Sequence, residues 1–167
     1  MATAEEVKRL REETNAGVMD CKRALDASGG DFAKAVQYLR DQGIAKADKK
    51  SDRETSQGLV DSYIHAGGRI GVLVEVNCET DFVQRGDLFK QLVHDIALQI
   101  AGMSGTLAVT EDELPEGADG NVEETVLMKQ PFLKDSSRTI EQLVKEAIAT
   151  TGENIRIRRF TRFELGQ

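Results

Sequence analysis

The chain has 167 residues and a formal net charge of −7, a length that suits one or two small domains with a buried core. This acidic balance disfavours general binding to nucleic acid or to a membrane surface, because both need a cationic face. Cys21 and Cys78, the two cysteines, lie far apart and favour a reducing compartment over a disulfide framework.

The sequence predicts a soluble cytoplasmic protein, with an organelle of bacterial type as the less favoured alternative. The opening residues, MATAEEVKRLREE, contain no apolar stretch of the kind that a secretory signal needs. No apolar run elsewhere approaches the ~20 residues of a membrane span.

The first third of the chain predicts three short amphipathic helices. Thr3 and Glu6 match a capping box before the first helix, which the segment 14–17 ends. Gly29 and Gly30 end the second helix. The apolar residues of the three inner faces recur at helical spacing: Val7 and Leu10; Val18, Cys21, Ala24 and Leu25; Phe32, Ala35, Val36 and Leu39.

The third helix and the segment after it predict a domain boundary. Asp31 is expected to cap this helix and Gly43 to end it. The charged segment from Ile44 to Arg53 predicts a linker that is either helical or flexible. The sequence therefore predicts a helical domain and linker at residues 1–54 and a second domain at residues 55–167.

The second domain begins with a predicted β-hairpin. Leu59 to His65 alternates as a strand, with Val60, Ser62 and Ile64 on one face, and Gly67-Gly68 supplies a tight turn. Ile70 to Val76 then returns antiparallel. Together with the later helices, this predicts an α+β fold: a three-helix bundle followed by an α/β core with an antiparallel sheet packed against helices.

Two longer helices and a last strand complete the prediction. Asp87 is expected to cap a helix that ends at Gly102, and Ser137 precedes another that ends at Gly152. Their inward residues are Leu88, Phe89, Leu92, Val93, Ile96, Ala97, Ile100 and Ala101, and Ile140, Leu143, Val144, Ala147 and Ile148. In the strand from Asn154 to Leu165 the alternation slips, which predicts a bulge or a strand covered on both faces.

The region between these helices is less regular. Thr110 to Thr125 holds seven acidic residues and no basic one, which predicts a solvated loop. Val122 to Met128 predicts a short helix, and Gln130 to Phe132 a turn.

The segment from Gly71 to Val83 combines a strand pattern with an unusual ending. An apolar, β-branched run gives way to polar residues, and Phe82 follows directly. Phe82 either folds back into the core or is offered to a partner. Asp81 beside it either contacts that partner or caps free N–H groups of a short helix.

Catalysis has little support in the sequence. Cys78, His65 and Asp81 form one loose constellation, whereas a thiolate nucleophile needs a base within hydrogen-bond reach. Phosphate-binding loops, CxxC and HExxH patterns are missing, and a buried structural cysteine is the commoner case. The chain is therefore not expected to be an enzyme.

Other ligand classes are also disfavoured. Cys21, His65, Cys78 and His94 lack the spacing of metal ligands, so neither a metal nor a cofactor is expected. The last strand carries four arginines: Arg156, Arg158, Arg159 and Arg162. They either touch RNA or form a face that is solvated or lies at the rim of a dimer interface. The acidity of the chain favours the second interpretation.

Val18 and Met19 raise the same question as Phe82. They follow Asn15-Ala16-Gly17 at the junction between the first two helices. They are either core residues or a docking patch, since methionine adapts to partner surfaces.

Long motifs in both domains resemble one family. The segments 10–22 (LREETNAGVMDCK) and 71–83 (GVLVEVNCETDFV) resemble the two signatures of bacterial elongation factor Ts. The segments 130–135 (QPFLKD) and 152–160 (GENIRIRRF) match its tail. Asn15 stands where the family usually has glycine, but asparagine also tolerates the left-handed conformation that the turn needs. Val18 stands where methionine is frequent. The chain resembles a short form without a second core half or protruding coiled coil.

The resemblance implies guanine-nucleotide exchange on elongation factor Tu, the GTPase that delivers aminoacyl-tRNA. The N-terminal bundle, similar to a ubiquitin-associated domain, would dock on the GTP-binding domain of that partner. The residues matching the contact positions there are Lys8, Arg11, Val18 and Met19. The core would place four residues against the switch-region helices and dislodge Mg²⁺ indirectly: Thr80, Asp81, Phe82 and Val83.

The resemblance also implies an assembly. Short members of the family act as dimers, so a homodimer that binds two partner molecules is expected, with no direct contact to nucleic acid or membrane. The alternative from another class is an adaptor, a ubiquitin-associated-like binding module without exchange activity.

Overall fold

The computed structural model describes residues 2–167 and has an α+β fold, as the sequence predicts. Its helices are α1 (Ala4–Thr14), α2 (Val18–Ala27), α3 (Phe32–Asp48), α4 (Asp81–Arg85), α5 (Asp87–Gly102), α6 (Val122–Thr125) and α7 (Ile140–Thr151). Its strands are β1 (Gln57–Ile64), β2 (Ile70–Cys78), β3 (Pro131–Phe132), β4 (Asp135–Thr139) and β5 (Ile155–Glu164). None of the described helices has the length and apolarity to cross a membrane.

The capping box that opens α1 is confirmed. The Thr3 hydroxyl accepts a hydrogen bond from the Glu6 N–H at 3.3 Å, and the Glu6 carboxylate accepts one from the Thr3 N–H at 2.7 Å. Asn15 ends the helix in the left-handed conformation with φ 54°. The predicted inner faces meet in a small core built on Leu10, Cys21, Ala24, Leu25 and Ala35. The prediction that Val18 lies on an inner face is wrong, because its side chain is 50% exposed.

Helix α3 is longer than the sequence predicts. It runs through Gly43, expected to end it, and includes the first five residues of the expected linker. Gly43 is buried where α3 crosses α7, and a Cβ placed on it would lie 3.4 Å from the Ala149 Cβ. Packing against α7 therefore overrides the low helix propensity of glycine. Ala47 belongs to the core of the sheet, so α3 contacts both hydrophobic clusters.

The main core lies between a three-stranded antiparallel sheet and two helices. The strand order is β1-β2-β5, and the hairpin about Gly67 and Gly68 is confirmed. Helix α5 lies across the inner face, and α7 packs beside it. The predicted slip in β5 is confirmed as a bulge: Glu75 pairs with Arg159 and Val76 with Ile157, so one residue of β5 is extra.

The starts of two helices and the placement of Leu88 differ from the sequence prediction. Gly86 is the N-cap of α5, and Asp87 is already its first helical residue. Leu88, expected to be buried, is exposed because Phe89 takes the inward direction one residue later. Thr139 caps α7, because it forms a reciprocal capping box with Gln142.

The segment before α7 is a small hairpin. Residues 130–132, predicted as a turn, include strand β3, which pairs with β4. Ser137 lies in β4, where its hydroxyl donates to the Asp135 carboxylate at 2.6 Å instead of capping the helix. The acidic residues of the predicted solvated loop are exposed. Helix α6 covers only the first four residues of the helix expected at residues 122–128.

Candidate partner-binding surfaces

The end of strand β2 presents Phe82 to the solvent. Thr80 is the N-cap of the five-residue helix α4, and its hydroxyl accepts a hydrogen bond from the Val83 N–H at 3.4 Å. Val83 is half-buried against the main core, whereas Phe82 is 85% exposed. Neighbouring residues of a short helix turn therefore point in different directions. Of the two alternatives for Phe82, the structure supports the outward one.

Asp81 remains accessible beside Phe82. It lies in the first turn of α4, where a carboxylate interacts favourably with the helix dipole, but the capping role belongs to Thr80. Its carboxylate forms an ion pair with Arg85 at 3.0 Å, and both side chains are mostly exposed. A pair of this kind contributes little to stability, and the Asp81 carboxylate stays accessible to solvent.

The loose catalytic constellation is not assembled. Cys78 is fully buried, its Sγ donates to the Thr80 carbonyl at 3.3 Å, and burial together with the Glu153 carboxylate raises its pKa to about 11. Cys78 pairs with Gln57, at the end of the hairpin remote from His65. The ring of His65 is instead 3.1 Å from the Tyr63 hydroxyl. A thiol in this setting stays protonated and is not a nucleophile.

A groove on the helical bundle brings together three of the four predicted docking residues. It has a volume of about 400 Å³ and is lined by Ala2, Ala4, Val7, Lys8, Arg11, Val18 and Lys22. Met19 does not line it but is 63% exposed on the next position of α2. Lys22 was missed by the sequence analysis, although it lies one helical turn after Val18. An apolar floor with a basic rim suits an apolar patch flanked by carboxylates on a partner.

The outer face of the sheet is a third exposed surface. Its side chains form three rows across β1, β2 and β5: Val60, Glu75 and Arg159; Ser62, Leu73 and Thr161; Ile64, Gly71 and Phe163. The four large apolar members of these rows are exposed, with Phe163 at 71%. Because no other described element covers this face, an apolar band remains in contact with solvent.

The four arginines of β5 do not form one patch. Arg159 lies on the outer face and pairs with Glu75 at 2.7 Å. Arg162 points the other way, and its guanidinium donates to the carbonyls of Ile100 and Ala101 at 3.1 Å each. It therefore caps the C-terminal end of α5, where a cation complements the helix dipole.

An α+β fold with an exposed aromatic at a strand end, an apolar groove and an apolar sheet face is typical of a protein that acts by binding other proteins. Comparison with known sequences narrows this class. The family model described as "Elongation factor TS" matches residues 44–119 and 118–167. The chain belongs to the elongation factor Ts family.

Similar proteins that carry the name elongation factor Ts come from cyanobacteria. The chain is 50% identical over 195 residues to one from Synechocystis sp., with 99% of this chain and 89% of that protein covered. A protein from Cyanothece sp. is 48% identical over 195 residues, with 99% of this chain and 74% of that protein covered. One from Thermosynechococcus vestitus is 51% identical over 195 residues, with 99% of this chain and 66% of that protein covered. These alignments are longer than the 167-residue chain, so the relatives contain internal segments that it lacks.

Proposed function

We propose that this protein is a guanine-nucleotide exchange factor that binds elongation factor Tu in its GDP-bound state and promotes release of GDP during translation elongation. The observation that carries the proposal is the exposure of Phe82, 85%, at the end of a family signature motif. Such a factor is not an enzyme in the chemical sense, because no covalent bond is made or broken. It acts in the cytoplasm, where translation takes place.

The exchange step uses the segment from Thr80 to Val83. Val83 is held by the main core, so Phe82 and Asp81 project from a fixed base. Phe82 inserts near the switch-region helices of the partner and displaces them slightly. Mg²⁺ on the bound GDP is then dislodged indirectly, and no residue of this chain touches the nucleotide or the metal.

The size of the effect requires more than one contact. A nanomolar GDP complex that forms at ~10⁶ M⁻¹s⁻¹ dissociates at only ~10⁻³ s⁻¹. A 10⁴-fold acceleration requires a release barrier lower by about 5.5 kcal/mol. Burial of one Phe contributes roughly 1.5–3 kcal/mol. Phe82 therefore needs docking energy from a second surface.

The groove of the helical bundle supplies that docking energy. Residues 1–54 act as the docking domain, and Lys8, Arg11, Val18 and Met19 contact the GTP-binding domain of the partner. Residues 55–167 act as the exchange and dimerisation domain. Linkage closes the cycle: a factor that weakens GDP binding must itself bind less well to the nucleotide-loaded partner, so incoming nucleotide expels it.

The outer sheet face supports a homodimer. Two copies that pair this face isologously would bury the apolar rows and the Glu75–Arg159 ion pair between two sheets. Each copy would keep its groove and Phe82 for one partner molecule, which gives a two-plus-two complex.

Release of a fluorescent GDP analogue from elongation factor Tu tests the proposal. Addition of this protein is expected to raise the release rate with concentration until it saturates. The alternative, a ubiquitin-associated-like adaptor, predicts binding without any change in that rate. A constant release rate under conditions where binding is measured would therefore favour the adaptor.

A further inference from the structure

Glu153, in the turn between α7 and β5, binds the base of the exposed segment through three donors. Its Oε2 accepts hydrogen bonds from the N–H groups of Glu79 and Thr80 at 3.1 and 3.0 Å. Its Oε1 accepts one from the Thr80 hydroxyl. A single carboxylate thus satisfies two backbone donors and a side-chain donor at the point where β2 ends.

The Glu79 carboxylate binds the turn that contains Glu153 in the same manner. Its Oε1 accepts a hydrogen bond from the Asn154 N–H at 2.7 Å and lies 3.5 Å from an Arg53 guanidinium nitrogen. The buried Asn154 amide also donates to the Arg53 carbonyl at 2.9 Å. The two turns therefore hold each other, and the segment before β1 is tied to the same point. We call this set the Glu79–Glu153 clasp.

The clasp determines the direction of Phe82. Helix α4 has only five residues and does not hold its orientation by its own hydrogen bonds. Val83 is held against the core, and Thr80 is held by Glu153 and, more weakly, by the Cys78 thiol. Phe82 itself is too exposed to be held by its surroundings. Loss of the Glu153 contacts would leave Thr80 held only by the weak hydrogen bond from the Cys78 thiol to its carbonyl.

We propose that Glu153 is a positioning residue for nucleotide exchange, a role that rests on the proposed function. Its carboxylate holds Thr80 so that Phe82 is pre-oriented for insertion into the GTPase. Pre-orientation removes the entropy cost of ordering the segment during binding, and its loss lowers the rate of the step that uses the segment. Glu153 makes no contact with the partner in this account.

Glu153→Ala and Glu153→Gln separate positioning from charge. The alanine variant removes all three acceptor contacts and is expected to lower the maximal stimulated release rate about tenfold, the equivalent of one hydrogen bond to a charged group. The half-saturating concentration should change less than about threefold, because docking by the groove is intact. The glutamine variant keeps its carbonyl for the backbone donors and its amide for the Thr80 hydroxyl, and should restore most of the rate.

Combination with Phe82→Ala tests whether Glu153 acts through Phe82. If it does, Glu153→Ala in the Phe82→Ala background lowers the release rate no further. The proposal would be overturned if the two substitutions lowered the release rate multiplicatively in the double variant, or if Glu153→Gln were as slow as Glu153→Ala. Hydrogen exchange should show faster exchange at the Glu79 and Thr80 amides of Glu153→Ala and unchanged exchange in α5. Unchanged protection at those two amides would also overturn it.

The control variant is Glu123→Ala, which removes an exposed carboxylate from α6. Its release rate should equal that of the unmodified chain. If Glu153→Ala does not fold, Glu153→Asp carries the same test, since a side chain one methylene shorter withdraws from Thr80. An unmodified chain that fails to stimulate release would refute the exchange function itself. Stimulation by Glu153→Ala equal to that by the unmodified chain would refute only the positioning role of Glu153.

Discussion

Phe82→Ala is the substitution that separates the exchange step from folding and docking. The phenyl ring is 85% exposed, so its removal leaves no cavity in the core. The free energy of unfolding should change by less than about 0.5 kcal/mol, as for other surface substitutions. Any loss of exchange activity then belongs to the complex with the partner.

The expected loss follows from the exposed area of the ring. Complete burial of a phenylalanine side chain contributes about 1.5–3 kcal/mol, and most of this ring is still available for burial in a complex. Truncation should therefore cost about 1.3–2.6 kcal/mol of the stabilisation of the release transition state. This corresponds to a maximal release rate roughly 10- to 80-fold lower.

The assay is stopped-flow release of a fluorescent GDP analogue from elongation factor Tu over a range of exchange-factor concentrations. The maximal rate should fall while the half-saturating concentration stays close to that of the unmodified chain. Leu107→Ala, which truncates an exposed leucine in the loop after α5, is the matched control and should change neither value. A Phe82→Ala protein with a maximal rate within twofold of the unmodified chain would refute insertion of this ring.

Four further substitutions test the other surfaces and the fold. Val18→Asp places a charge in the groove and should raise the half-saturating concentration about tenfold at an unchanged maximal rate; an unchanged concentration would remove the groove from the docking account. Leu73→Lys should give a monomer mass in light scattering, whereas the unmodified chain gives a dimer; a monomeric unmodified chain would contradict the assembly. Gly58→Ala should lower the free energy of unfolding by about 3 kcal/mol or more in urea titrations, because φ is +152° and a Cβ would lie 2.2 Å from a carbonyl oxygen of β2; a loss below about 1 kcal/mol would show that this close approach is relieved. Asp135→Asn should reduce acid sensitivity: hydrogen bonds from Ser137 lower the pKa of Asp135 in the folded state, so its stabilisation is present above an ordinary pKa of about 3.9 and is lost as the pH falls through the lower folded value. The urea midpoint of the unmodified chain should therefore fall more steeply below about pH 4 than that of the variant, and parallel curves would contradict this.

The local features of the fold were predictable because their signals are short-range. The Thr3–Glu6 capping box, the left-handed turn at Asn15 and the Gly67-Gly68 hairpin each depend on a few neighbouring residues. The slip in β5 could also be read from the alternation, and the structure resolves it as a bulge opposite Glu75.

The errors arise where distant packing or a competing partner decides the structure. Gly43 is predicted as a helix end, but α3 continues through it because this part of the helix packs against α7. The sequence predicts a helix after Ser137, but residues 135–139 form strand β4 and the helix begins only after Thr139, its N-cap. The end of α3 depends on packing against a helix about 100 residues further along the chain. The start of α7 depends on which of several polar residues before it caps the helix.

The candidate site shows the same division. The position of Phe82 after a strand left its burial or exposure open, and the structure decides for exposure. The resemblance to a signature motif indicated which residues of this segment contact a partner. The Glu79–Glu153 clasp was not predictable, because its two carboxylates lie 74 residues apart and each binds backbone N–H groups at the position of the other. Nor could the three rows of the outer sheet face be aligned without the register of the strands.

The rate of GDP release from elongation factor Tu, measured with and without a saturating concentration of the unmodified protein, tests the central claim most directly. The account predicts a release rate that rises by several orders of magnitude and returns to the intrinsic value when the protein is omitted. A release rate that stays at the intrinsic value, while a complex between the two proteins is detected in the same solution, would contradict the account.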